Sequence, residues 1–188
     1  MAKRGEGTLR IIGGEHRSRL VQFDPESGVR PTPDRVRQTL FDWLAPVIEG
    51  ARCLDLFAGS GALGLEALSR GAASVTFVET GRRQIDLINA ARTALGAELR
   101  ASVHAGDALT FLEQTADRFD VVFLDPPYGG DLLQRSLALL PRALKPVHRI
   151  YLEWPVAARP SLPADLRVLR EKKAGQVSYG LAAFGEVP

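Results

Sequence analysis

From residue 51 onward, short apolar runs alternate with longer amphipathic ones. The runs predict strands at Arg52–Phe57, Ser74–Glu79, Ala101–Ala105, Val121–Leu124 and Arg149–Glu153, with helices at Ala62–Ser69, Arg82–Leu95, Ala108–Thr115 and Leu132–Leu144 between them. Strand–helix alternation with strands this apolar indicates a parallel sheet covered on both faces. The pattern then changes: Leu166–Lys173 and Val177–Phe184 flank Ala174-Gly175 with no helix between them, so a hairpin is expected and the last strand should run antiparallel. Upstream of residue 51, Thr8–Gly13 and His16–Gln22 form a plausible hairpin around Gly13-Gly14, and Asp24–Pro31 reads as loop. A helix should follow with Thr32 as N-cap and Pro33 in its first turn. Its apolar residues Val36, Leu40, Trp43 and Leu44 share one face, and Pro46 is expected to end it. The chain thus divides into an N-terminal basic hairpin or arm, 1–31, and an α/β domain, 32–188.

Composition sets the class without changing this picture. Hydrophobic residues make up 45% and charged residues 24% of 188, average globular values that argue against a mainly disordered chain. No apolar run approaches the roughly 18 residues needed to span a bilayer, and the basic start has no apolar stretch behind it. A cytoplasmic location with no membrane partner is expected. The single Cys53 excludes an internal disulfide, and the scattered His16, His104 and His148 show no metal-ligand spacing, so no metal is expected.

The formal net charge of +2 speaks against nucleic acid until it is divided along the chain. Residues 1–37 hold eight basic residues (Lys3, Arg4, Arg10, Arg17, Arg19, Arg30, Arg35, Arg37) against five acids. A second basic run, Arg170-Glu171-Lys172-Lys173, lies near the C-terminus. Such runs are either solvated surface or phosphate-binding footprints.

Two strand ends carry candidate chemistry. After the first strand of the α/β region, Gly59, Gly61 and Gly64 match G-x-G-x-x-G, and Glu79 lies twenty residues beyond Gly59 at the end of the next strand. Glycines permit a tight turn and close ligand approach, and the distal acid suits ribose hydroxyls, so an adenosine-containing cofactor is indicated. Asp55, just before the turn, would repel a pyrophosphate, whereas a cationic, phosphate-free ligand such as S-adenosyl-L-methionine suits it. A plain loop-bracing carboxylate is the alternative for Asp55. Asp107 is a candidate for the adenine amino group, or simply a helix N-cap.

Val121-Val122-Phe123-Leu124 runs into Asp125-Pro126-Pro127-Tyr128. The prolines fix the backbone so that the Asp125 carboxylate and the Pro126 carbonyl offer two acceptors at one point. Gripping both hydrogens of a nucleobase exocyclic amine would turn its lone pair toward a methyl group, with Tyr128 stacked on the base.

These motifs resemble the class I S-adenosylmethionine-dependent methyltransferases that act on exocyclic amines. More narrowly, Arg30-Pro31-Thr32 with Asp34-Arg35-Val36-Arg37 and Leu40-Phe41, the Gly-Gly-x-x-x-x-Arg hairpin, and Gly175-Gln176-Val177 with Tyr179 resemble the RsmD-type 16S ribosomal RNA guanine-N2 methyltransferases. The resemblance covers roughly residues 8–184. It implies a Rossmann-like, seven-stranded, mostly parallel sheet with an antiparallel last strand. It also implies methyl transfer to N2 of one guanine in 16S ribosomal RNA of the small ribosomal subunit, assembled or assembling, by a monomer that yields S-adenosyl-L-homocysteine. Asp125, Pro126, Pro127 and Tyr128 would form the catalytic set, and Asp55, Phe57, Gly59, Gly61, Glu79, Asp107 and Ala108 the cofactor site. Arg10, Arg17, Arg30, Thr32, Arg35 and Arg37 are the candidates for substrate binding, although the arginines could equally be plain surface charges.

Rival readings remain. A small NAD-dependent oxidoreductase explains the glycines and Glu79 but not Asp55 or Asp-Pro-Pro-Tyr. A DNA amino-methyltransferase would use the same strand end but usually needs a larger target-recognition region. C5-cytosine methylation needs a cysteine nucleophile, and Cys53 lies within a strand. The last rival, a non-catalytic RNA-binding module, would not need Asp125.

Overall fold

The structure is a computed structural model that describes residues 7–28 and 30–185, so Lys3 and Arg4 of the basic arm lie outside the described residues. Gly7–Arg10 (β1) and Leu20–Phe23 (β2) form an antiparallel hairpin, followed by the helix Asp34–Ile48 (α1). The α/β region then runs Arg52–Asp55 (β3), Ala62–Ser69 (α2), Ser74–Glu79 (β4), Arg82–Ala94 (α3), Ala101–Ala105 (β5), Ala108–Gln114 (α4), Phe119–Leu124 (β6), Leu132–Leu139 (α5) and Leu144–Pro155 (β7). Leu166–Ala174 (β8) and Val177–Phe184 (β9) complete it. The sheet has seven strands in the order β5-β4-β3-β6-β7-β9-β8, and β9 runs antiparallel to both its neighbours, as expected. No helix among the described residues is long and apolar enough to cross a membrane.

Period-2 alternation sorts the strand side chains into two cores. Cys53, Val75, Phe77, Val121, Phe123 and Tyr151 face α1, α2, α3 and the hairpin residues Leu9, Ile11 and Val21. Leu54, Val78, Val122, Leu124, Ile150 and Trp154 face α4 and α5. Trp154 is therefore a core residue, and so is His148, whose Nδ1 pairs with the Lys145 carbonyl at 2.8 Å while Nε2 accepts the Phe184 N–H at 3.0 Å. Cys53 is fully buried, and burial drives its thiol well above the usual range, which removes any nucleophilic role.

Several boundaries differ from expectation. The first hairpin is shorter, because Ile11–Arg19 forms a long connection whose Gly13 and Gly14 press against Ser69 and Arg70 of the α2 end. A 3-10 turn, Pro25–Ser27, interrupts the loop that follows. Helix α1 starts at Asp34 with Pro33 in the cap position, not Thr32, whose hydroxyl points to Glu153. Pro46 does not end α1: it lies in the last turn, where one missing N–H bond leaves the remaining turn intact. The expected Leu132–Leu144 helix stops at Leu139 and tightens into the 3-10 turn Leu140–Ala143, which contains Pro141. Strand β7 begins earlier than expected because its first residues pair irregularly, with a register shift between Phe119 and Val121 opposite them. The second basic run sits on β8, an exposed edge strand, where Lys and Arg also discourage edge-to-edge pairing.

The hairpin is clamped to the α/β region by a buried carboxylate. Glu66 of α2, 0% exposed, takes the Ile12 N–H and the Arg37 guanidinium on Oε2 (2.9 and 3.2 Å), and the Gly13 N–H and Arg70 Nε on Oε1 (2.9 and 2.8 Å). All of its acceptor positions point to donors, which is what makes a buried charge tolerable.

Candidate active site

In an open α/β sheet, ligands bind beyond the carboxyl ends of the strands, where the strand order reverses. Here the reversal falls between β3 and β6. Four acids stand at neighbouring strand ends there: Glu79 on β4, Asp55 on β3, Asp125 after β6 and Glu153 on β7. Each lies two residues beyond a side chain of the first core (Phe77, Cys53, Phe123, Tyr151), so alternation turns all four toward the same face. Asp125 and Glu153 continue the parallel register that pairs Leu124 with Leu152. Among the described residues, none of the four acids forms an ion pair with a Lys or Arg.

The glycine turn is built around two of these acids. Asp55, 3% exposed, accepts the Gly64 N–H at 3.0 Å. Asp55 thus braces the glycine turn. Burial pushes its carboxyl up to about 7, aided by the charge of Glu79 and opposed by the Gly64 bond. Glu79 closes the other side: Oε2 takes the Gly59 N–H at 2.7 Å, and Oε1 takes those of Thr80 and Gly81 at 2.9 and 2.8 Å. Gly59 and Gly61 both have left-handed φ values, 53° and 75°, which L side chains rarely adopt. Gly64 is needed for another reason: a Cβ there would stand 2.2 Å from the Phe77 ring, so its absence lets α2 lie close on β4.

Along the same rim, Asp107 is the N-cap of α4, accepting the Thr110 N–H at 2.9 Å, and that bond holds its carboxyl below the usual range. Ala108 is buried in the first turn of α4, and Phe57 is half-buried against the second core. Pro126 is buried, Pro127 is exposed, and Tyr128 presents its ring to solvent at 54% exposure. Partial burial and the charges of Glu153 and Asp125 push the Tyr128 hydroxyl up to about 12. Asp125 is raised well above the ordinary carboxylate range, first by burial, then by Glu153 and Asp55.

The candidate RNA contacts separate into two groups. Arg10, Arg17, Arg30 and Arg35 are exposed and unpaired by any carboxylate among the described residues. Arg10 and Thr32 line a groove of about 620 Å³ between the hairpin and the Pro31–Asp34 segment, together with Leu20 and Phe23. Arg37 does not belong with them. At 1% exposure it is locked to Glu66 and Asp34 (3.2 and 2.6 Å) and donates to the Thr32 carbonyl at 3.0 Å, so it is an internal brace at the base of the groove.

Sequence reasoning did not select Glu153 and Tyr151. Glu153 Oε1 accepts the Tyr151 hydroxyl at 2.5 Å and the Thr32 hydroxyl at 3.5 Å. An acid two residues past a buried Tyr at a strand end was the available signal. No group of three or more His, Cys, Asp or Glu side chains among the described residues is arranged to hold a metal ion.

Comparison with known proteins agrees with this architecture. A family model described as conserved hypothetical protein 95 matches residues 9–183. Ribosomal RNA small subunit methyltransferase D of Escherichia coli K12 is 47% identical over 182 residues, covering 94% of this chain and 90% of that protein. The protein of the same name from Haemophilus influenzae is 41% identical over 181 residues, with 94% of each chain covered. A solved structure of a putative methyltransferase from Escherichia coli superposes with a TM-score of 0.86 at 45% identity, covering 95% of this chain and 99% of that one. The chain has the class I methyltransferase fold and belongs to the family of the ribosomal RNA small subunit methyltransferase D proteins.

Proposed function

We propose that this protein is an S-adenosyl-L-methionine-dependent methyltransferase that modifies the exocyclic N2 amine of one guanine in 16S ribosomal RNA of the small subunit. The observation that carries the reading is the row of four acids at adjacent strand ends, none of them ion-paired among the described residues, around a left-handed glycine turn. A site with this surplus of negative charge favours a cation and repels a pyrophosphate, which favours the sulfonium cofactor over NAD. Asp55, Phe57, Gly59, Gly61, Glu79, Asp107 and Ala108 would hold it, Glu79 exchanging its bond to Gly59 for ribose hydroxyls. When bound, S-adenosyl-L-methionine supplies an electrophilic methyl carbon: the amine lone pair bonds to it, the carbon–sulfur pair leaves on sulfur, and one N–H proton must depart.

The chain's own contribution is positioning and electrostatics. The Asp125 carboxylate and Pro126 carbonyl accept the two amine hydrogens, and exposed Tyr128 stacks on the base. A base inside a duplex could not reach this recess, so the target is unpaired or extruded. Arg10 and Thr32, which line the groove between the hairpin and the Pro31–Asp34 segment, and the exposed Arg17, Arg30 and Arg35 would face the RNA phosphates. In this reading the 1–31 unit serves the 32–188 catalytic domain as an RNA-facing platform, and the monomer acts in the cytoplasm.

The deciding experiment supplies tritiated methyl cofactor with free ribosomal RNA, small subunits and DNA in parallel, followed by nucleoside analysis. N2-methylguanosine from ribosomal substrate is expected; label confined to DNA overturns the reading. Calorimetry with S-adenosyl-L-homocysteine and NADH tests the cofactor separately, and a preference for NADH would sink it.

A further inference from the structure

Glu153 is the one strand-end acid to which the proposed chemistry gives no task. It lies beside Asp125 in the continuation of the parallel register of β6 and β7, on the same face, and neither acid is ion-paired among the described residues. Two donors fix it: Tyr151, fully buried, and Thr32, which belongs to the segment lining the groove. Tyr151 is itself packed against Tyr179 of β9 (centroids 6.4 Å apart), which stacks on Trp43 of α1 at 5.6 Å. A half-buried acid held by neutral donors from a strand and from the groove wall is more tightly placed than a solvated surface charge.

We propose that Glu153 is a positioning residue for the transfer step: fixed by Tyr151 and Thr32, it keeps a negative charge beside Asp125 and thereby makes Asp125 the acceptor of the proton that the amine gives up. This rests on the methyltransferase reading of the site. As the nitrogen bonds to the methyl carbon and the carbon–sulfur pair goes to sulfur, one N–H proton passes to Asp125 and from there to water. Glu153 is unchanged at the end.

The asymmetry between the two acids follows from their partners. Burial raises both, but hydrogen bonds from Tyr151 and Thr32 favour the charged form of Glu153, whereas for Asp125 the remaining effects are the repulsive charges of Glu153 and Asp55. The titratable groups around Asp125 are Asp55 on β3, Tyr151 and Glu153 on β7, and Tyr128 on its own loop, with Tyr179 of β9 behind Tyr151. At the entry to α1, Asp34 is already paired with Arg37.

The test reads Asp125 directly. Carboxyl-carbon NMR titration of the ligand-free protein should show Asp125 titrating at lower pH in Glu153→Gln than in the parent, and Glu153→Asp should restore most of the difference. In methyl-transfer assays, Glu153→Gln should lower kcat roughly tenfold near pH 8, a fraction of a general base's usual contribution. The acidic limb of its pH profile should move to lower pH, with S-adenosyl-L-homocysteine affinity within about threefold of the parent's. If Glu153→Gln does not fold, Tyr151→Phe decides the matter: with its donor gone, Glu153 competes for the shared proton and Asp125 should again titrate lower. An Asp125 titration unmoved by the folded variants overturns the inference even if the parent methylates RNA. A parent inactive on every RNA overturns the functional reading, and the titration still decides whether Glu153 governs Asp125.

Discussion

Glu66 and Asp55 are both buried carboxylates beside helix α2, yet their surroundings are opposite. Glu66 is met by two guanidinium groups and two backbone N–H donors. Asp55 has the Gly64 N–H and three further acids along the neighbouring strand ends. The first arrangement is complete without anything bound and fastens the hairpin to the α/β region. The second has no guanidinium or ammonium partner among the described residues, and burial pushes the Asp55 carboxyl up to about 7 instead. Burial therefore does not distinguish these two acids; the presence or absence of a counter-charge does.

That contrast can be broken most forcefully on the paired side. Glu66→Ala takes the buried carboxylate from Arg37 and Arg70 and leaves the Ile12 and Gly13 N–H groups unpaired, so it should cost about 3–5 kcal/mol. Thermal unfolding should show this as a fall of roughly 10 °C or more. Asp125→Ala should behave oppositely: methyl transfer falls on the order of a thousandfold, while calorimetry finds S-adenosyl-L-homocysteine binding within a few-fold and Tm little changed.

The pH dependence of stability sharpens the comparison further. Asp55 titrates at about 7 in the fold against 3.8 when unfolded, so its protonated form favours folding. That stability is fully present below about pH 4 and is lost as pH rises through about 7, on the order of 2–4 kcal/mol. Tm of the ligand-free protein should accordingly decline from pH 5 to 8, Asp55→Asn should flatten the decline, and the cationic cofactor should offset it more than its neutral product does. Tyr128→Ala should raise KM for RNA by the loss of about 1–3 kcal/mol of base stacking. The smallest effect belongs to Arg30→Ala: slightly weaker RNA binding, with the salt dependence reduced by about one counterion in filter-binding titrations.

Much of this molecule is written locally. Strands Ser74–Glu79, Ala101–Ala105 and Val177–Phe184 and helix Ala62–Ser69 have the bounds their apolar runs predict, because each run is delimited by its own turn residues. The glycine turn and Asp125 were legible for the same reason. Non-local pairing was not. Arg37 looked like a surface cation because its partner Glu66 lies 29 residues away on another helix. Glu153 gains its place from a register with β6 and from Thr32, 121 residues upstream. Proline was the other source of error: Pro46 is absorbed in a last helical turn, whereas Pro141 lies in the 3-10 turn that follows α5.

The insertion of β9 between β7 and β8 orders events during synthesis. A nascent chain that has emerged only as far as Ala174 carries β8 without the strand that joins it to the sheet, and Tyr151 without the Tyr179 ring behind it. Strand β9, made after both of its neighbours, is the one that joins β8 to the sheet and backs the carboxylate pair.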